Sequence, residues 1–336
     1  MKIARVSGDE AYIQTMRYFS IPGHRHRAPP YVTFEDQLRD WPREALRSIC
    51  KYFGLPATSE VGVVASMLRQ LRVEAENYLG NKVTITRAGI SYPRLTAMYV
   101  EDIDDASLHA GIIPLGYPRE WSRHSTPDPR FPQPPNHAEA VLAGNGAGIC
   151  THNLTGIHCC KYDANGVCSV GFGQARTCMV HLTTEAMEID VSGRHDAWAL
   201  RPSNSSHALH MDFTAGTKIR GLDGYFSDPR DYDRYLKHRI HAVWEASLPD
   251  GKGFDIVLLA GDEAGQSWFL EIIENLVAAI PDYPPHIYHA DPDFAAARGS
   301  AELAFRWLFA NGEIGVSSAS GQTVPSMVGM PLRIRS

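Results

Sequence analysis

One stretch near the C-terminal end constrains the fold most. Phe254-Asp255-Ile256-Val257-Leu258-Leu259-Ala260 is a nearly unbroken apolar run, and Gly261-Asp262-Glu263-Ala264 follows it directly. A short apolar run stopped by a turn signal fits a buried strand. Farther on, Asp291-Pro292-Asp293-Phe294 opens a helix whose first turns are Ala295-Ala296-Ala297-Arg298-Gly299-Ser300-Ala301. Side chains this small predict close packing against a neighbour.

The remaining elements alternate in kind. Residues 1–32 read as a strand or two and a loop. Thr33 with Asp36 resembles a helix cap, and Trp41-Pro42 opens a further helix. In that helix Leu46, Ile49, Cys50 and Phe53 recur at i, i+3, i+4, i+7, so they are expected to be buried. Val61 to Leu79 reads as a helix buried through Val64, Met67, Leu68, Leu71 and Ala75, with Gly80-Asn81 ending it. A strand over 83–91, a helix over 93–110 and a proline-rich loop over 114–136 follow. Ala138 to Ala143 is a short helix. Val167–Val170 and Thr177–Leu182 are expected to pair through Gly171-Phe172-Gly173-Gln174-Ala175. Strands at 186–191, 197–200 and 208–213 precede a helix over 228–246. A helix over 268–280, a strand over 286–289 and a helix over 294–309 surround the last turn. The pattern is α/β in two lobes.

Length supports two lobes, since the chain has 336 residues and 44% of them are hydrophobic. A net charge of -6 gives no basic field to hold nucleic acid. No apolar run approaches the ~20 residues of a membrane span. Met1-Lys2-Ile3-Ala4-Arg5-Val6 lacks a signal-peptide core, so a cytoplasmic protein is expected, and secretion would need a leader ahead of Met1. Two sequons, Asn153-Leu154-Thr155 and Asn204-Ser205-Ser206, pull weakly the other way, as does the cluster Cys150, Cys159, Cys160, Cys168. Cys150, His152, His158, Cys159 and Cys160 lack the usual zinc spacing, and disulfide, zinc and plain thiols stay open for them.

Several segments together resemble a known family. Val64 to Val83, VASMLRQLRVEAENYLGNKV, is similar to the helix-plus-YLG segment of the ATPase domain of DnaK-type heat-shock chaperones. Gly89-Ile90-Ser91-Tyr92-Pro93 through Ala110-Gly111 resembles its next unit. Gly221-Leu222-Asp223-Gly224-Tyr225-Phe226 resembles its Gly-Gly-Glu-Asp-Phe-Asp turn, and the two turns quoted first resemble its adenosine motif. The likeness is to the divergent heat-shock-like proteins of filamentous fungi. It implies two ribonuclease-H-like (actin-like ATPase) lobes around a central cleft. Lobe I is expected over 1–160 and lobe II over 161–336, with a reduced helical insert at 221–253. The inherited nucleotide positions would be Gly171, Gly173, Gly261, Asp262, Glu263 and Asp291.

The departures from the family set the functional expectation. The 336 residues hold no counterpart of its first phosphate hairpin, Asp-Leu-Gly-Thr-Thr, or of its peptide-binding domain, so a shortened relative is expected. Gly171 stands where the family has the acid that orders Mg²⁺ waters, and Asn136 falls near its catalytic glutamate. Phosphoryl transfer depends on positioned amides, cations and Mg²⁺. ATP hydrolysis is therefore expected to be absent, with no cofactor required and ATP or ADP binding kept as a residual reading. A small molecule is the expected partner. The rival reading is a repurposed acid–base cyclase or isomerase of fungal secondary metabolism. For it, His210 and Asp212 would share one face of a strand and act as the catalytic pair. The bland alternative for that pair is a polar strand face.

Overall fold

A computed structural model describes residues 4–29, 31, 33–115, 134–147, 160–162, 168–170, 175–194, 208–247, 253–280, 284–310 and 332–334. Contacts divide the chain into two compact units, 1–136 with 330–336, and 137–329. The division falls between Asn136 and His137, ahead of the 160/161 boundary expected from the sequence. The expected short helix after Asn136 packs within the second unit, which draws the boundary forward.

The first unit begins with β1 (Ala4–Val6) and α1 (Glu10–Ser20). The sequence suggests a strand or two and a loop over 1–32, and no helix there. Asp9 caps the helix, its Oδ1 accepting from the Tyr12 N–H at 2.8 Å, and Tyr12, Met16 and Phe19 form the buried stripe. Next come α2 (Phe34–Tyr52) and α3 (Ser59–Tyr78). The Thr33 cap is in place, its hydroxyl accepting from the Asp36 N–H at 3.1 Å, but Pro42 lies inside one continuous helix instead of opening a second. Helix α3 buries Val64, Met67, Leu68, Leu71 and Ala75 as expected. The short strand β2 (Arg87–Ala88) and α4 (Val100–His109) occupy only parts of their expected spans. The strand β3 (Ile113–Pro114) pairs parallel with β2.

Helix α2 is inside-out relative to its apolar period. Leu46, Ile49 and Phe53 are 61%, 54% and 70% exposed, and Phe34, Leu38, Trp41 and Tyr52 are exposed as well. Charge is on the packed face. Arg47, 2% exposed, donates to Asp102 Oδ1 at 2.9 Å, Asp105 Oδ2 at 2.5 Å and the Glu101 carbonyl at 3.2 Å. Arg43 binds both oxygens of Asp40 at 2.6 Å and lies 2.6 Å from Glu101 Oε1. A guanidinium taken out of water needs that many acceptors, and α4 supplies them.

The second unit opens with α5 (His137–Gly144). The strands β4 (Cys160–Tyr162) and β5 (Cys168–Val170) pair antiparallel with each other. This corrects the hairpin expected between 167–170 and 177–182. Its intended second strand, β6 (Ala175–Leu182), pairs with β7 (Met187–Arg194), because a tight turn at Thr183–Ala186 joins those two. The last strand of the meander is β8 (Ala208–Asp212), followed by α6 (Pro229–Ser247), β9 (Ile256–Ala260), α7 (Ser267–Val277), β10 (His286–Tyr288) and α8 (Ala295–Ala310). The final strand, β11 (Leu332–Ile334), belongs to the first unit and pairs parallel with β1.

The main sheet has the order β10-β9-β6-β7-β8. β6, β7 and β8 form an antiparallel meander, while β9 joins parallel beside β6 and β10 parallel beside β9, after the crossover helices α6 and α7. One face of the sheet, with Cys178, Val180, Leu182, Met187, Ile189, Val257 and Leu259, packs on α6 and α7. Tyr232, Leu236, Ile240 and Trp244 form a single stripe at four-residue spacing along α6 that fills this core. On α5 and α8, Gly144 lies against the Ala295 carbonyl and Gly299 against the Ala140 carbonyl, so the two backbones nearly touch. No described helix is long and apolar enough to cross a membrane.

Candidate functional site

The two turns that resemble an adenosine motif meet in the second unit. Gly261, at φ +101°, donates its N–H to the Pro292 carbonyl at 3.1 Å. A side chain on Gly261 would strike the Leu182 carbonyl, so the left-handed turn and the close approach both require glycine. Asp262 Oδ2 accepts from the Thr184 hydroxyl at 3.3 Å, and the Glu263 N–H donates to the Leu182 carbonyl at 3.3 Å. Asp291 sits at φ +53°, with its carbonyl accepting from the Phe294 N–H at 3.0 Å and its carboxylate 3.8 Å from Arg298. The helix starts at Ala295, so Asp291 shapes the entry turn ahead of it and stands too far upstream to be its N-cap. Gly171 and Gly173 lie outside the described residues, as do Cys150 and Cys159.

His210 and Asp212 share a face of β8, with His210 Nε2 3.8 Å from Asp212 Oδ2. Arg239 of α6 stands between them. Its Nη2 donates to Asp212 Oδ2 at 2.6 Å and lies 3.1 Å from His210 Nε2. The other carboxylate oxygen accepts from the Thr214 N–H at 2.8 Å and hydroxyl at 2.6 Å. The His210 ring, then Thr214 and Arg239, hold the Asp212 carboxyl well below the usual range, against the opposing effect of burial. Both oxygens and the ring nitrogen nearest them are engaged, which suits a clamp joining β8 to α6.

A different constellation lies on the opposite face of the sheet. Cross-strand partners share a face, and the register pairs Thr177 with Ser192, Met179 with Asp190 and His181 with Glu188. All of these except His181 are buried, so the face is polar where a structural sheet is normally apolar. His137, the first residue of α5, joins the last pair. Its Nδ1 lies 3.1 Å from Glu188 Oε2, and His181 Nδ1 lies 3.5 Å from the same oxygen. The imidazoles meet edge to face, with centroids 4.3 Å apart. Burial alone would raise the Glu188 carboxyl, but hydrogen bonds from His137 and His181 outweigh it and hold it at about 2. Glu188 Oε1, Thr177 Oγ1 and Ser192 Oγ are buried and have no hydrogen-bond partner among the described residues.

Ligand atoms of His137, His181 and Glu188 all lie within 4.8 Å of one another, a spacing that suits a metal ion. A second group with such spacing is His26, Glu101 and Asp102 in the first unit. There the carboxylates already carry Arg43 and Arg47, so the positive charge is supplied by the chain itself. The sequence reading named neither group. Cys178, a free cysteine, is fully buried in the apolar core, and burial pushes its thiol up, out of the reactive range. No protein-family model and no curated protein sequence matches the chain.

Proposed function

We propose that the chain is a degenerate heat-shock-like ATPase domain that does not turn over ATP and instead binds another small polar molecule through its second unit. The observation that carries this reading is the buried polar face of β6 and β7, with three oxygens left without protein partners among the described residues. Buried polar atoms normally find a partner, and a recurrent shortfall on one face points to a ligand. The sheet order supports descent from a ribonuclease-H-like lobe. Three antiparallel strands, then two parallel strands added beside the first through helical crossovers, are what that resemblance implies. The bond from Gly261 to Pro292 supports inheritance of the adenosine-side turns. Gly171 and Asn136 in place of acids argue against phosphoryl transfer.

Calorimetry with Mg-ATP, Mg-ADP and adenosine, beside a phosphate-release assay, tests the proposal. No phosphate release and no heat with Mg-ATP are expected. A micromolar Mg-ATP signal or steady hydrolysis would overturn it in favour of a residual nucleotide-dependent regulator. The rival reading, an acid–base cyclase or isomerase, is favoured by one observation. Two imidazoles converge on one buried carboxylate, the elements of a proton relay. That set, not the Arg239-clamped His210 and Asp212, would carry the chemistry.

A further inference from the structure

We propose that His137, His181 and Glu188 form a binding site for a divalent transition-metal ion of the zinc or iron(II) class. The inference stands on the geometry of these residues and does not depend on the heat-shock resemblance.

Convergence is the first argument. Two imidazole Nδ1 atoms point at the same carboxylate oxygen, at 3.1 and 3.5 Å. Ligand atoms bound at ~2.0–2.2 Å in tetrahedral array lie about 3.4 Å apart. The three side chains are therefore already spaced as ligands of one ion. Two histidines and a carboxylate leave positions open for water or substrate, and imidazole selects zinc or iron(II) over magnesium.

The second argument is the unevenness around Glu188. A carboxylate held only by hydrogen bonds spreads its donors over both oxygens. Here both imidazoles crowd Oε2, while Oε1 is buried and has no partner among the described residues. The Glu188 residue is 1% exposed, so bulk water does not supply the missing contact. A cation bridging Nδ1, Nδ1 and the carboxylate completes the set that the protein leaves open.

Rigidity is the third. His181 and Glu188 are register partners on the longest antiparallel ladder of the sheet. His137 is fixed differently: its helix is held against α8 by backbone contact at Gly144 and Gly299, and Arg298 Nε donates to the Gly144 carbonyl. Ligands on a strand pair and a pinned helix need little rearrangement to bind. Thr177 and Ser192 lie farther along the same face, four residues from His181 and Glu188 on their strands, so only a ligand reaching about 13 Å from the ion would meet their hydroxyls. A bound ion would act there as a Lewis acid toward an oxygen of the ligand.

The test uses the whole chain, stripped with chelator and titrated with Co²⁺ and then Zn²⁺. One equivalent of Co²⁺ is expected to give visible d–d bands of low coordination number, and Zn²⁺ to abolish them. His181→Ala and His137→Asn should lose the bands. Glu188→Gln, nearly isosteric, should weaken Zn²⁺ binding by about 10–100-fold or more. Zn²⁺ should raise the melting temperature of the parent chain and not of His137→Asn. Far-UV circular dichroism checks that each variant is folded, and Glu188→Gln decides the matter if a histidine variant is not. Absence of stoichiometric Co²⁺ binding, or bands that persist in both histidine variants, would overturn the proposal.

Discussion

Replacing Gly299 by Ala isolates the contact that holds α5 to α8. Two effects oppose one another. In a helix interior Ala is better than Gly by about 1 kcal/mol, so propensity alone predicts stabilisation. The packing predicts the reverse. A Cβ on Gly299 would lie 1.7 Å from the Ala140 carbonyl oxygen and 2.6 Å from the Gly144 nitrogen. Ordinary contact begins at about 3.4 Å, so the helices would have to part by well over an ångström. Both obstacles are backbone atoms, and no rotamer change relieves them. Overpacking of this kind costs about 1–3 kcal/mol even where side chains can yield. Both obstacles being backbone, the upper part of that range applies, and subtracting the propensity gain leaves an expected net loss of about 1–2 kcal/mol. Urea unfolding followed by tryptophan fluorescence measures it, and the unfolding midpoint should fall at an unchanged slope. Gly144→Ala meets the Ala295 carbonyl at 1.9 Å and should behave alike. The pair should cost less than the sum, because helices parted by one methyl accommodate the second. A Gly299→Ala chain as stable as the parent, or more so, would refute the close crossing.

Other outcomes follow from single contacts. Arg47→Met leaves Asp102 and Asp105 buried without their guanidinium. It should cost about 3–5 kcal/mol in chemical denaturation, partly restored by adding Asp105→Asn. Glu101 is pushed up to about 7 by burial, against Arg47 and Arg43, with Glu44 adding to the rise. A carboxyl raised in the folded state binds its proton more tightly there, so its share of stability is fully present below about pH 4.5 and is lost as pH rises toward 7. Unfolding series between those limits should show this slope flatten in Glu101→Gln. Gly261→Ala forces a side chain into a left-handed turn and onto the Leu182 carbonyl, and a melting temperature lowered by several degrees is expected. Asp212→Ala removes three donors' acceptor and should lose about 1–3 kcal/mol in urea unfolding, as a clamp should.

Much of the second unit was legible because its signals are local. Apolar continuity located β9, small residues located the tight α8, and the Gly261 turn announced its own geometry. What failed depended on partners distant in sequence. Tyr12, Met16 and Phe19 behind an Asp9 cap were readable as α1, yet short apolar segments beside glycine and proline also suit strands. In α2 the apolar period was correct and its direction was not, since period alone does not say which face meets the protein. Buried arginine reversed the usual sense. The polar face of β6 and β7 was also visible in principle. Thr177 and His181 alternate with apolar residues, as do Glu188, Asp190 and Ser192, but the face matters only once the two strands pair with each other. His137 comes to that site through helix packing, which no local pattern encodes.

The reversed polarity of α2 has a calorimetric consequence. A helix seated on ion pairs removes little apolar surface from water, so its release adds little to the heat capacity of unfolding. Guanidinium chloride, whose cation matches the Arg43 and Arg47 head groups and competes for the same carboxylates, should weaken these contacts at concentrations that leave the apolar cores intact, while urea should not. The two denaturants should therefore disagree about how the first unit comes apart.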